Sequence, residues 1–245
     1  MRVRQSLVVL AAAGLILAAA GPAVADIIGT PGDDDLRGTP GPNRIEARAG
    51  DDVVHGLAGR DSILGQAGED TLFGGRGDDD LVGQQGQDTL DGGAAHDRLD
   101  GSQAADTLDG GSGIDFLDGG RGAFSDRLEG GTGNDFGRAW GGADRLLGGP
   151  GNDVLNGMDG SDSVRGNIGR DLLVGARGSD HIWPGADRDR VDAGPGADEI
   201  MMLRDDGAPD RIKCGPGDDM VTYVGTPDPA DSLTGCETVV ELPVP

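Results

Sequence analysis

A nine-residue period governs this chain. From Gly29 onward the sequence follows Gly-Gly-x-Gly-x-Asp-x-U-x, where U is aliphatic. Residues 29–118 divide into ten units without a slip, 119–129 form an eleven-residue unit with Ala123 and Phe124 as an insertion, and 130–201 give eight more. A twelve-residue unit, 202–213, precedes a last clear one, 214–222, making 21 in all. The sixth position holds Asp34, Asp52, Asp61, Asp70, Asp79, Asp88, Asp97, Asp106, Asp115, Asp126, Asp135, Asp144, Asp153, Asp162, Asp171, Asp180, Asp189, Asp198, Asp210 and Asp219, with Asn43 as the one substitution. The eighth runs Leu36, Ile45, Val54, Ile63, Leu72, Leu81 and onward to Val221, broken only at Gly137.

Nine residues match no α-helical period, and the apolar spacing of a helix is missing. Each unit instead reads as a six-residue glycine-rich turn followed by a three-residue strand, x-U-x. Alternation along the strand sends U to one side and its neighbours to the other. Two units then close an 18-residue coil, and stacked coils bury a file of Leu, Ile and Val. The expected fold is an all-β parallel β-solenoid over 29–222, with insertions at 119–129 and 202–213. After Tyr223 the register lapses, and Pro227, Pro229 and Val239-Val240 suit a C-terminal cap over 223–245.

Composition alone points elsewhere. Gly 48 and Pro 13 make up about a quarter of the chain, aromatics number seven, 38 of the 44 acidic residues are Asp, and Lys213 is the only lysine. A net charge of −24 with so little apolar content resembles a disordered chain. A disordered linker, however, has no reason to keep an aliphatic residue two places after each Asp. The charge disfavours nucleic acid and anionic membrane surfaces as partners, both being polyanions. The scarcity of large apolar side chains argues against a close-packed enzyme domain.

The N-terminus reads as an export signal. Arg2 and Arg4 precede an apolar stretch from Leu7 to Ala20, and Ala23-Val24-Ala25 supplies a cleavage site before Asp26. Residues 1–25 are therefore expected to be a cleaved signal peptide and the mature protein secreted. The apolar stretch is short of the ~20 residues a membrane span needs, and no later segment is apolar enough. An oxidising destination makes a Cys214–Cys236 disulfide the expectation, with free thiols as the alternative.

The turns carry the chemistry. Stacking places the Asp of one turn beside that of the turn two units on, about one strand spacing, ~4.8 Å, away. Each such carboxylate pair repels by about 0.8 kcal/mol even in a water-like dielectric, so the stack needs counter-cations. The donors on offer are carboxylates and turn carbonyls, all hard oxygens. That set suits Ca²⁺, which takes 6–8 oxygens in loose geometry, better than Mg²⁺ with its strict octahedron. Zinc and copper favour His or Cys.

With Gly74-Gly75-Arg76-Gly77-Asp78-Asp79-Asp80-Leu81-Val82 and Gly148-Gly149-Pro150-Gly151-Asn152-Asp153-Val154-Leu155-Asn156 matching every position, the chain resembles the RTX (haemolysin-type) calcium-binding nonapeptide repeats. The resemblance implies a right-handed parallel β-roll, with calcium held between successive turns by loop carbonyls and the sixth-position carboxylate. The residues so implicated are Asp34, Asp52, Asp61, Asp70, Asp79, Asp88, Asp115, Asp135, Asp153, Asp162, Asp171, Asp180, Asp198 and Asp219. Ala95, Ala104 and Asp187 replace the fourth-position Gly, which weakens the case for calcium at Asp97, Asp106 and Asp189; Asn43, lacking charge, predicts a weaker site. Gly137 predicts a soft spot in the apolar file.

Other readings carry less. No unit has the acidic spacing of an EF-hand. His55, His96 and His181 fall at three different unit positions, and neither H-E-x-x-H nor G-x-S-x-G occurs. No enzyme is expected, a solenoid enzyme being the remote option. Leu172, Val174 and Trp183 should face outward, so a calcium-dependent adhesin or surface scaffold with a cell-surface or matrix partner is the main alternative use.

Overall fold

The computed structural model describes residues 16–17, 24–203 and 208–243. It contains two compact units, Met1–Gly120 and Arg121–Pro245. Among the described residues every regular element is a strand. The expected signal peptide falls almost wholly outside the described residues; within it, Ile16–Leu17 pairs in parallel with Leu36–Arg37.

In the first unit, strands alternate between two parallel sheets. One holds Asp35–Arg37, Val53–Ala58, Thr71–Arg76, Thr89–Ala94 and Thr107–Gly113, and the other Ala25–Ile28, Asn43–Ala49, Ser62–Ala67, Asp80–Gln85, Arg98–Gln103 and Phe116–Asp118. Lateral partners stand 18 residues apart, as in Leu72↔Leu90 on one sheet and Ile63↔Leu81 on the other. Two nonapeptides thus make one coil, as the period predicts. The second unit repeats the plan: Arg127–Glu129, Arg145–Pro150, Ser163–Ile168, His181–Ala186, Glu199–Leu203, Met220–Val224 and Thr238–Leu242 form one sheet. Phe136–Arg138, Val154–Gly160, Leu172–Arg177, Arg190–Asp192, Arg211–Lys213 and Ser232–Thr234 form the other. The fold is a right-handed parallel β-roll.

The core is one aliphatic residue deep. Eighth-position side chains from Leu36 to Val221 are at most 2% exposed. Each fully buried Leu or Ile contributes roughly 1.5–3 kcal/mol, so the file supplies apolar stabilisation that the composition hides.

Four sequence expectations need correction. The strands usually run six residues rather than three, from the seventh position into the third of the next unit, as in Ser62–Ala67. A positive-φ residue at the second position, such as Gln66 at 86°, bends the strand without ending its pairing. The coil also starts earlier than Gly29, because Ala25–Ile28 pairs with Asn43–Glu46 and buries Ile27.

Gly137 leaves no hole. A Cβ placed there would lie 3.0 Å from Leu155 Cδ2 and within 4 Å of Leu146 and Leu128, so flanking leucines already fill the slot. The tail, finally, keeps the register. Ser232–Thr234 pairs with Arg211–Lys213, and Thr238–Leu242 with Met220–Val224. It caps the roll by adding rungs, and the Cys214–Cys236 disulfide, with Cα atoms 5.2 Å apart, ties it down. In the 202–213 insertion, residues 204–207 lie outside the described set.

Candidate metal centre

The sixth-position carboxylates form continuous columns. In the first unit the backbone N–H of Asp34 donates to Oδ1 of Asp52, and the relation repeats through Asp70, Asp88 and Asp106 at 2.7–2.9 Å. A second column runs Asn43, Asp61, Asp79, Asp97, Asp115 at 2.7–2.8 Å. In the second unit one column passes from Asp126 through Asp144, Asp162, Asp180, Asp198 and Asp219 to Glu237. The other passes from Asp135 through Asp153, Asp171, Asp189 and Asp210 to Asp231. Every candidate from Asp34 to Asp219 sits in one of these columns.

The degenerate turns are included. Ala95, Ala104 and Asp187 take the same left-handed conformation as the glycines they replace, with φ of 96°, 81° and 79°. Asp97, Asp106 and Asp189 accept the same backbone hydrogen bond as their neighbours. Loss of glycine there has not displaced the carboxylate.

Along the columns one carboxylate oxygen is thus spoken for and the other faces the turn. At the ends this changes, since Asp34 Oδ2 accepts from the Thr30 N–H at 2.5 Å and hydroxyl at 3.0 Å, and Asp231 Oδ2 from the Tyr223 hydroxyl at 3.0 Å. Oδ2 of Asp52, Asp61, Asp70, Asp79, Asp88, Asp97, Asp144, Asp153, Asp162, Asp171, Asp180, Asp198 and Asp219 is buried without a hydrogen-bond partner. A buried unsatisfied carboxylate oxygen is costly, and such a series calls for a counter-charge. Burial pushes Asp79, Asp88, Asp144 and Asp153 up to about 7 and Asp52, Asp162, Asp171, Asp180 and Asp198 up to about 6, against the pull of the accepted backbone N–H. Neighbouring carboxylates add to the rise, as Asp61 and Asp97 do for Asp79.

Asn43 shows what surrounds that second oxygen. Its Nδ2 occupies the equivalent place and donates to the carbonyls of Gly41 at 2.5 Å, Thr39 at 3.1 Å and Gly56 at 3.4 Å, and to Asp61 Oδ1 at 2.7 Å. These are the second- and fourth-position carbonyls of its own turn and the first-position carbonyl of the next coil. The neutral amide brings its own donor into an oxygen-lined cradle; an aspartate there brings a further oxygen. First-position glycine keeps the cradle open, since a Cβ on Gly74 would lie 2.6 Å from Asp79 Oδ2 and 2.7 Å from the Gly92 carbonyl.

Carboxylates alone do not assemble a metal cage. No group of three His, Cys, Asp or Glu converges among the described residues. An ion in a turn would therefore depend on backbone carbonyls for most of its shell. An all-oxygen, acidic, carbonyl-rich cradle fits Ca²⁺, whose coordination tolerates such mixed donors.

A second ladder escapes the sequence reading. At the fifth position the N–H of one turn donates to the side chain one coil earlier: Asp51 to Asp33 Oδ1 at 3.0 Å, Glu69 to Asp51 at 2.8 Å, Asn152 to Asn134 at 2.7 Å. His96 belongs here, accepting the Ile114 N–H on Nδ1 at 2.8 Å. The abundance of Asp, Asn and Ser at that position is the available signal. The tail contributors Asp231 and Glu237 also escape it, although Asp231-Ser-Leu-Thr and Glu237-Thr-Val-Val keep the acid-x-aliphatic spacing.

Outward residues make their own contacts. Leu172, Val174 and Trp183 are half-exposed, as expected, and the Arg165 guanidinium covers the Trp183 ring at 4.4 Å. No helix among the described residues is long and apolar enough to cross a membrane.

Coils of two nonapeptides with a carboxylate column at each turn define a nonapeptide-repeat β-roll. The family model for the RTX calcium-binding nonapeptide repeat matches residues 28–63, 55–90, 91–123, 122–136, 141–173 and 165–200, well over half of the chain, and the chain belongs to that family. None of the curated proteins compared with it matches.

Proposed function

We propose that this is a secreted protein that folds on binding calcium ions in the turns between its coils. The observation that carries the reading is the series of buried, unpartnered Asp Oδ2 atoms beside turn carbonyls. A cation bound to the stacked state and absent from the open chain stabilises the coil by RT ln(1 + [Ca]/Kd) per site. Extracellular calcium modules bind at ~10⁻⁴–10⁻³ M, which lets the chain cross a membrane open and fold outside. The chain's own groups hold the columns in place: beyond the first coil of each column, Oδ1 is fixed by a backbone N–H, leaving Oδ2 and the carbonyls to face an ion.

The ligands proposed are the fourteen carboxylates identified from the sequence, joined by Asp97, Asp106, Asp144 and Asp189, whose geometry is equivalent. Equilibrium dialysis with ⁴⁵Ca²⁺ tests the reading. Multiple ions per chain are expected, with fewer bound by Asp153→Ala; no binding at millimolar calcium would overturn it.

A further inference from the structure

In an acidic protein, one cleft is basic. It encloses about 400 Å³ in the second unit, and Asn152, Arg170, Arg188, Arg190 and Arg211 line it. Asn152, Arg170 and Arg188 succeed one another in a fifth-position column at 18-residue intervals. Arg190 and Arg211 are direct lateral partners on adjacent strands. Like charges placed side by side in a sheet destabilise it, and here two strand arginines, Arg190 and Arg211, and two turn arginines, Arg170 and Arg188, share one opening.

These arginines lack the ion pairs found elsewhere. Arg44 binds Glu46 at 2.6 Å, Arg177 binds Asp159 at 3.2 Å, and Lys213, further along the strand that carries Arg211, binds Asp192 at 2.9 Å. Among the described residues, the side chains of Arg170, Arg188, Arg190 and Arg211 have no such partner. The acids on the cleft floor do not serve. Asp171 and Asp189 are buried at 3% and 1% exposure, with Oδ1 held inward by the N–H groups of Asp153 and Asp171.

We propose that this cleft binds a small tetrahedral oxyanion, a sulfate or phosphate group. Guanidinium forks match such oxygens in planar, paired hydrogen bonds, and the Asn152 side chain adds a polar group at the rim. The size of the ligand follows from the field around it. With a net charge of −24 on the chain, a long polyanion meets repulsion beyond the cleft, whereas a compact anion is shielded within about 10 Å at 0.1 M salt.

Isothermal titration of the full chain in calcium-containing buffer tests this, with sodium sulfate in one arm and N-acetylglucosamine 6-sulfate in the other, against sodium chloride. Saturable one-site binding of sulfate is expected, weakened at least tenfold in Arg188→Gln/Arg190→Gln and unchanged in Arg44→Gln. Should that double variant not fold by circular dichroism, Arg170→Gln alone is expected to weaken binding threefold or more. Equal affinity in both arms assigns the site to the anion itself; tighter binding of the ester assigns it to a sulfated sugar. No saturable sulfate binding, or equal binding by all variants, overturns the proposal.

Discussion

The backbone N–H of Asp153 donates to Oδ1 of Asp171, one coil away, at 2.8 Å, while Asp171 Oδ2 is buried without a partner. One carboxylate therefore does two separate things. Oδ1 locks the spacing of successive turns, and Oδ2 supplies charge to the cradle. Substitution can separate the roles. Asp171→Asn keeps an acceptor for the Asp153 N–H and offers its amide to the turn carbonyls, as Asn43 does. At pH 5, where protonation stabilises the metal-free coil, it is expected to preserve the metal-free melting temperature, and at pH 7.5 to raise the calcium concentration needed for folding, whereas Asp171→Ala is impaired in both. Metal-free melts at pH 5 and calcium titrations at pH 7.5 of the two variants decide between separate and single roles.

The raised carboxylates set a pH dependence of definite sign. Their folded-state values, about 6 to 7 at Asp79, Asp88, Asp144, Asp153 and Asp162, lie above the ordinary 3.8, so the metal-free coil favours the protonated form. That stability is fully present below about pH 4 and is lost as pH rises through about 6 to 7. Metal-stripped protein should melt higher at pH 5 than at pH 8, and calcium should bind more weakly at pH 5 because protons compete. Melting temperatures and calcium titrations at the two values check both halves.

Ala95 and Ala104 hold left-handed conformations that favour glycine. A non-glycine residue there carries strain of order 1–3 kcal/mol, partly offset by the unfolded-state freedom glycine adds. Ala95→Gly is expected to stabilise the calcium-loaded protein by about 1 kcal/mol, measured by denaturant unfolding. The same geometry makes Asp106→Ala and Asp153→Ala comparably damaging to calcium binding, despite the missing glycine beside Asp106.

Leu155 is 2% exposed and its Cδ2 occupies the slot left by Gly137. Truncation there empties two rungs at once. Leu155→Ala should fall at the upper end of the usual loss of roughly 2–5 kcal/mol, above Leu173→Ala in the next coil. Chemical denaturation of the pair gives the comparison.

Reduction of Cys214–Cys236 frees the last rungs. In the chain-entropy picture the loop it closes is worth about 3 kcal/mol. Cys236→Ser should lower the denaturation midpoint and raise amide exchange in Ser232–Thr234 and Thr238–Leu242 first. Hydrogen-exchange mass spectrometry resolves that order.

How much of this could be read from residues alone follows from the period. The file of Leu72, Leu90 and Leu108 and the columns at Asp61 and Asp79 were legible because a nine-residue spacing fixes both at once. Strand length was not, since a left-handed residue such as Gln66 within a paired strand leaves no mark in hydropathy. The rungs at Ile27 and Asp231 escaped because the glycines that signal the turn are missing there, while the strand pairing that preserves the register depends on backbone groups. The cleft of Arg188 and Arg190 was hidden for a related reason: residues scattered between Asn152 and Arg211 meet only once the coils are stacked.

The account rests on cations joining the carboxylate columns, and a calcium titration of metal-stripped full-length protein at pH 7.5, followed by far-ultraviolet circular dichroism, tests it most directly. A cooperative gain of β-signal at submillimolar to millimolar calcium, reversed by chelator, is the predicted result. A complete β spectrum in chelator that calcium leaves unchanged would contradict it.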